Sequence, residues 1–214
     1  EDERTLRAVQ TVLDEGLAEP ILIGRREVIG ARARAMGLRM DFSESVRVLD
    51  PATDEAEFAP LVELYQRKVG RRGIPPDAAA RRVGNRPTVA AALMLESGRA
   101  DACLCGGTGD WSRHWHHAYD VIGKRAEVAR VYALSALIVP NGHLFFVDTH
   151  LTVEPTAEQI VDMTLLAAEQ IRAFGIVPKA ALLSHSSFGA SGAPSAVKMR
   201  DALRLLRARA PEFE

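Results

Sequence analysis

The sequence predicts an α/β fold, an open and mostly parallel sheet covered by helices, and two observations predict it. Short, largely apolar runs at residues 20–24, 46–49, 102–105, 133–139, 144–148 and 180–184 have the length of sheet strands. Between most of them lie longer segments whose apolar residues recur at helical spacing. Strand and helix thus alternate, and that order places helices over the faces of a sheet.

Leu6, Val9 and Leu13 mark the first helix, and Gly16 falls where the turn after it belongs. Pro20-Ile21-Leu22-Ile23-Gly24 is a continuously apolar strand candidate, and a charged helix over 27–36 ends at Gly37. A second strand at 46–49 closes on Asp50-Pro51. Helices are expected around 58–69, after Pro76, and over 88–97, where Ala, Leu and Met dominate. Arg99-Ala100-Asp101 leads into a strand at 102–105, the loop Gly106-Gly107-Thr108-Gly109 and a helix over 112–122. Asn141-Gly142 is a hairpin signal, so strands 133–139 and 144–148 are expected to be antiparallel in an otherwise parallel sheet. Thr156 and Gln159 have capping-box spacing for a helix that runs to Gly175. Strand 180–184, loop 184–192 and a helix over 194–209 complete the series. There is no internal repeat and no low-complexity linker; a lobe boundary is expected in 71–87, where Gly, Pro and Arg cluster.

With 214 residues the chain is long enough for a substantial core, and its 47% hydrophobic and 26% charged composition is that of a soluble globular protein. A net charge of -1 argues against nucleic acid and anionic membranes as partners. No apolar run approaches the length of a membrane span, and no signal peptide follows Glu1. Cys103 and Cys105 are read as pointing apart and unbridged, which suits a reducing, cytoplasmic compartment. The abrupt start and end read as a fragment.

Ligands of open α/β sheets bind beyond the carboxyl ends of the strands. Two loops there have suitable composition: 106–109, whose glycines allow close backbone approach, and 184–192, which adds hydroxyls. Neither carries a dinucleotide fingerprint or a P-loop. Ordinary tight turns are the plain alternative. His114 and His117 could share a helical face, but no further ligand completes a metal set, and packing against a neighbour is the simpler reading. Ser184 and His185 are adjacent on a strand and make a poor nucleophile–base pair; a triad through Asp148 lacks any nucleophile-elbow motif. The basic groups Arg67, Lys68, Arg71 and Arg72, then Arg81, Arg82 and Arg86, then Lys124, Arg125 and Arg130 read as solvated faces unless they converge on phosphate. Arg200, Arg204, Arg207 and Arg209 read as the wet side of the last helix.

Three segments carry a family resemblance. Ala102-Cys103-Leu104-Cys105-Gly106-Gly107 resembles the D-A-x-x-x-G strand and loop of phosphate acetyl/butyryl transferases. Asp148-Thr149 with Glu154-Pro155-Thr156-Ala157-Glu158-Gln159-Ile160 resembles their D-T…P-T-A-E-Q segment. Ala181-Leu182-Leu183-Ser184-His185-Ser186-Ser187-Phe188-Gly189 resembles their L-S-x-S-x-x-G segment. Arg71-Arg72-Gly73-Ile74 and Leu183-Ser184-His185-Ser186 are closest to the C-terminal phosphotransacetylase-like domain of bacterial hybrid NADP-dependent malic enzymes.

The resemblance implies an α/β/α sandwich of two lobes, of isocitrate/isopropylmalate-dehydrogenase-like architecture, binding acetyl-CoA in the cleft between them and dimerising. Residues 1–214 would be one such domain, lacking its first strand and its C-terminal third. Implied acyl-CoA contacts are Thr108, Gly109, Ser184, Ser186, Ser187 and Gly189, with no metal and no catalytic residue assigned. NADP and a divalent metal would serve only a malic enzyme domain outside this chain. By the same resemblance, an arginine that active transferases use on phosphate falls on His116, and an earlier one falls near Val69. Imidazole lacks the planar fork that grips phosphate. The expectation is therefore a regulatory acetyl-CoA sensor without transfer activity. A working phosphate acetyltransferase and a pure oligomerisation domain are the alternatives.

Overall fold

A computed structural model describes residues 1–40, 42 and 46–213. They form two compact units, residues 1–124 and 125–214.

The first unit opens with α1 (Glu3–Asp14), whose N-cap Asp2 accepts a hydrogen bond from the Thr5 amide at 3.1 Å. Its Leu6 and Val9 are buried, and Gly16 ends the turn with φ 62°. Strand β1 (Ile21–Ile23), helix α2 (Arg26–Ala35) and strand β2 (Arg47–Leu49) then make a β-α-β unit, with Ile21, Leu22 and Ile23 in parallel register against Arg47, Val48 and Leu49. Ile29 and Ala33 of α2 join Leu6, Val9, Val46 and Val48 in one apolar cluster.

A second cluster gathers α3 (Glu55–Val69), α4 (Pro76–Asn85), α5 (Pro87–Glu96) and α6 (Trp111–Ile122). Helix α5 is apolar nearly all round, as a helix enclosed by others must be; Val89, Ala90 and Leu93 are wholly inaccessible. Segment 71–87, expected as a lobe boundary, lies inside this unit. Its prolines start helices: Pro76 and Pro87 are first helical residues, and Ala79 and Val83 between them are fully buried. The division falls instead after Lys124, just past Gly123, which ends α6 with φ 76°.

The second unit contains β3 (Leu134–Val139), β4 (Gly142–Val147), α7 (Ala157–Ala173) and α8 (Pro194–Arg209). β3 and β4 are antiparallel, as expected, but Val139 pairs with Gly142, so the turn residues are Pro140 and Asn141. Pro140 cannot take positive φ, and the Asn-Gly turn geometry is displaced by one position. The capping box of α7 is complete: Thr156 Oγ1 accepts from the Gln159 amide at 3.2 Å, and Gln159 Oε1 from the Thr156 amide at 2.9 Å. Ile160, Val161, Met163, Ala202 and Leu206 form the core between α7 and α8.

The fold is α/β. Among the described residues the sheets are one parallel and one antiparallel pair, and segments 102–105 and 180–184 stand outside any ladder. An apolar run supplies strand character, but only a neighbouring backbone supplies the ladder. No described helix is long and apolar enough to cross a membrane.

Candidate functional site

Thr108 lines a cavity of about 680 Å³ in the first unit, whose walls include Thr5, Ile23, Thr88, Gly107 and His114. It opens at the carboxyl end of β1, where Gly24 follows Ile23. His114 organises the glycine loop. Its Nε2–H donates to the Thr108 carbonyl at 2.7 Å, so Nδ1 is left to accept from the Thr88 hydroxyl, also at 2.7 Å. Arg4 donates to the Gly107 carbonyl at 2.5 Å. With both carbonyls turned toward protein donors, the loop is held open-chained against α6. Gly106 and Gly109 have φ of 105° and 91°, a region closed to most side chains, and a Cβ on Gly109 would lie 3.4 Å from His114 Nε2. Asp110 caps α6 by accepting from the Ser112 amide at 2.7 Å, and the Ser112 contacts hold its carboxyl below the usual range.

A larger cavity, about 860 Å³, lies beside β2, but its charged lining pairs internally through Arg26–Asp54 at 2.7 Å and Arg47–Glu57 at 2.6 Å. It offers a ligand little that is unspent.

In the second unit the hydroxyls of loop 184–192 mostly serve the loop. Ser184 Oγ accepts from the Ser186 amide at 3.1 Å, Ser186 Oγ from the Ser191 amide at 2.9 Å, and Ser191 Oγ from the Ala193 amide at 3.1 Å. Arg200 Nη1 donates to the Ser191 carbonyl at 2.7 Å and to the Gly189 carbonyl. Arg200, Arg204, Arg207 and Arg209 are all exposed, as expected for the wet face of α8, and from that face Arg200 also braces the loop while Arg209 pairs with Asp162 at 2.7 Å. Ser187 is exposed, and its hydroxyl makes no hydrogen bond among the described residues.

The chain matches the family described as phosphate acetyl/butaryl transferase over residues 1–214. It belongs to that family. Over all 214 residues it is 46% identical to the NAD-dependent malic enzyme of Rhizobium meliloti (strain 1021), and it covers 28% of that protein. It is 42% identical over 213 residues to the NADP-dependent malic enzyme of Escherichia coli (strain K12), again covering 28%. The chain therefore spans less than a third of the length of these relatives. A phosphotransacetylase crystal structure from Streptococcus pyogenes superposes with a TM-score of 0.78 at 24% identity, covering 100% of this chain and 64% of that one.

Within the phosphate acetyl/butyryl transferase fold, Thr108 and Gly109 stand together on the first unit, and Ser184, Ser186, Ser187 and Gly189 stand together on the second. His116 is exposed on α6, and its Nδ1–H donates to the Ser112 carbonyl at 2.6 Å. With Nδ1 so engaged, the ring has only Nε2 left to face outward, where a guanidinium offers a planar fork of donors. His117 turns inward: burial, with Arg86 beside it, pushes its pKa below the ordinary histidine value. No group of three or more His, Cys, Asp or Glu among the described residues is placed to hold a metal ion.

His185 contacts Ser195 at 3.2 Å rather than Ser184, and Asp148 is committed to the backbone, accepting from the Ala133, His150 and Leu151 amides at 3.0, 3.1 and 3.2 Å. Cys103 and Cys105 correct another expectation. Both are free thiols, yet residues two apart in extended chain share a side, and the Cys105 sulfur is near enough to act on the Cys103 thiol. Burial and the neighbouring sulfur push the Cys103 thiol up to about 11. Among the basic groups, Lys68 pairs with Glu96, Arg72 with Asp120, Arg81 with Asp77 and Arg125 bidentately with Glu169. They are committed to protein carboxylates. No local motif signals the bracing roles of His114 and Arg200, because each contact closes through a loop.

Proposed function

We propose that residues 1–214 form a regulatory acetyl-CoA-binding domain of a malic enzyme and do not themselves transfer the acetyl group. The observation that carries this reading is identity of 46% and 42% to malic enzymes along the entire chain, within a family named for phosphate acyl transfer. Thr108 and Gly109 would meet the ligand through backbone in the glycine loop, and Ser187 through an uncommitted hydroxyl, with Ser184, Ser186 and Gly189 shaping the surface beside it. His116 supports the absence of transfer: it replaces a fork of donors with an imidazole whose N–H is already spent on Ser112. Malate decarboxylation, with NADP or NAD and a divalent metal, belongs to parts of the longer protein. Acetyl-CoA bound here lowers that activity by linkage through a self-associated, cytoplasmic enzyme.

Calorimetric titration of the full-length protein with acetyl-CoA, alongside an assay for acetyl phosphate, tests the reading. Saturable binding without acetyl phosphate is expected. Acetyl phosphate formation would mark a working transferase, and no binding at all would leave oligomerisation as the domain's role. Ser186→Ala and Ser187→Ala should each weaken acetyl-CoA binding more than twofold; affinities within twofold remove the second loop from the site.

A further inference from the structure

Loop 184–192 contains a residue that its own bracing does not explain. Phe188 has φ 53° and ψ 21°, and among the described residues it is the one non-glycine residue with positive φ. A bulky side chain in that region is strained. The strain is not offset by burial, because Phe188 is 108% exposed. Glycine takes such a conformation without cost, and the next residue, Gly189 at φ 69°, does so.

The backbone on both sides is held firmly. The Ser187 carbonyl accepts from the Ala190 amide at 3.2 Å, Ser186 Oγ accepts from the Ser191 amide at 2.9 Å, and Arg200 clamps the Gly189 and Ser191 carbonyls. Gly189 packs so closely on Arg200 that a Cβ would lie 3.0 Å from its Cγ. A braced, strained loop thus presents a phenyl ring to water, next to the uncommitted hydroxyl of Ser187.

We propose that Phe188 is a ligand-contacting residue whose ring is the stacking platform for the adenine of the acyl-CoA. This rests on the acyl-CoA reading of the domain. Phosphorylated ribose, pyrophosphate and pantetheine thioester have no aromatic face; adenine does, and a ring carried on a braced backbone leaves only its own side-chain torsions to order on stacking. Strain kept where it buries nothing is a mark of pre-organisation.

The test uses the full-length protein with acetyl-CoA, adenosine 3′,5′-bisphosphate and acetyl-pantetheine as separate probes. Phe188→Ala and Phe188→Gly should each weaken acetyl-CoA binding about tenfold, within the range of base-on-aromatic stacking. Phe188→Trp should stay within about threefold of wild type. Phe188→Gly should also raise the melting temperature, which separates loss of the ring from loss of the fold. The bisphosphate should weaken in parallel with acetyl-CoA, and acetyl-pantetheine should be unaffected. Wild-type binding with Phe188→Ala and Phe188→Gly within twofold overturns the proposal. So does equal weakening of bisphosphate and acetyl-pantetheine, which would make Phe188 a loop-shaping residue. A wild-type protein that binds no acetyl-CoA fails the underlying reading, and is recognised before any variant is compared.

Discussion

His114 joins the hydroxyl of Thr88 in α5 to the carbonyl of Thr108 in the glycine loop, so one imidazole ties a core helix to a candidate ligand contact. Thr88→Val keeps the shape and removes the donor, leaving Nδ1 without its partner. A loss of about 1–2 kcal/mol in urea unfolding is expected, with faster amide exchange at 107–109. Unchanged exchange would show that the loop holds itself. Asp148 has a different task. Burial alone would raise its carboxyl, but the Ala133, His150 and Leu151 amides outweigh that and hold it below the ordinary value of 3.8. Because the folded pKa is lower than the unfolded one, the stabilisation is complete above about pH 4. It is lost as pH falls through the depressed folded value. Amide exchange at 133, 150 and 151 should therefore accelerate on acidification below pH 4, and in Asp148→Asn that acid sensitivity should disappear. At this scale Thr108 and Gly189 were legible as loop residues but their braces were not, since His114 reaches the Thr108 carbonyl and Arg200 the Gly189 carbonyl only once each loop closes.

The helices were the legible elements. Leu6, Val9 and Leu13 give period and face together, Thr156 and Gln159 give a start, and α8 spans the residues its pattern marks. Thr156→Ala removes one half of the capping box and should cost about 1 kcal/mol in denaturant unfolding. A change below about 0.3 kcal/mol would mean that packing alone sets the start of α7. The strands were less legible. The parallel pair and the hairpin follow from their apolar runs, whereas 102–105 and 180–184 have strand composition without a ladder. Leu104 is fully exposed, and Pro140 moves the hairpin turn by one residue. Pairing is a property of two segments, and reading one segment does not reveal whether the other arrives.

The two units differ in how much core they own. Residues 1–124 contain two apolar clusters, with Tyr65, Leu61, Leu93 and Val89 among the fully buried side chains. Among the described residues of 125–214 there is one, and their hairpin leaves Leu137, Ile138, Leu144 and Phe146 exposed. A two-stranded hairpin with so much apolar surface is marginal in water. A fragment of residues 1–124 is therefore expected to unfold cooperatively in urea, whereas residues 125–214 alone should bind hydrophobic dye and lack a sharp transition. A cooperative 125–214 fragment would refute this. The expected boundary in 71–87 failed at this same scale, because Gly and Pro mark turns and helix starts alike.

By itself the sequence determined the α/β class, the helix faces, the capping signals and the family. All of these are written in local period, in composition or in contiguous motifs. The tertiary structure decided which strand candidates find partners, where the units divide, that His114 and Arg200 brace the two loops, and that Phe188 stands strained and exposed. Each depends on backbone groups far apart in the chain, and hydrogen bonding and burial are settled only when those groups meet.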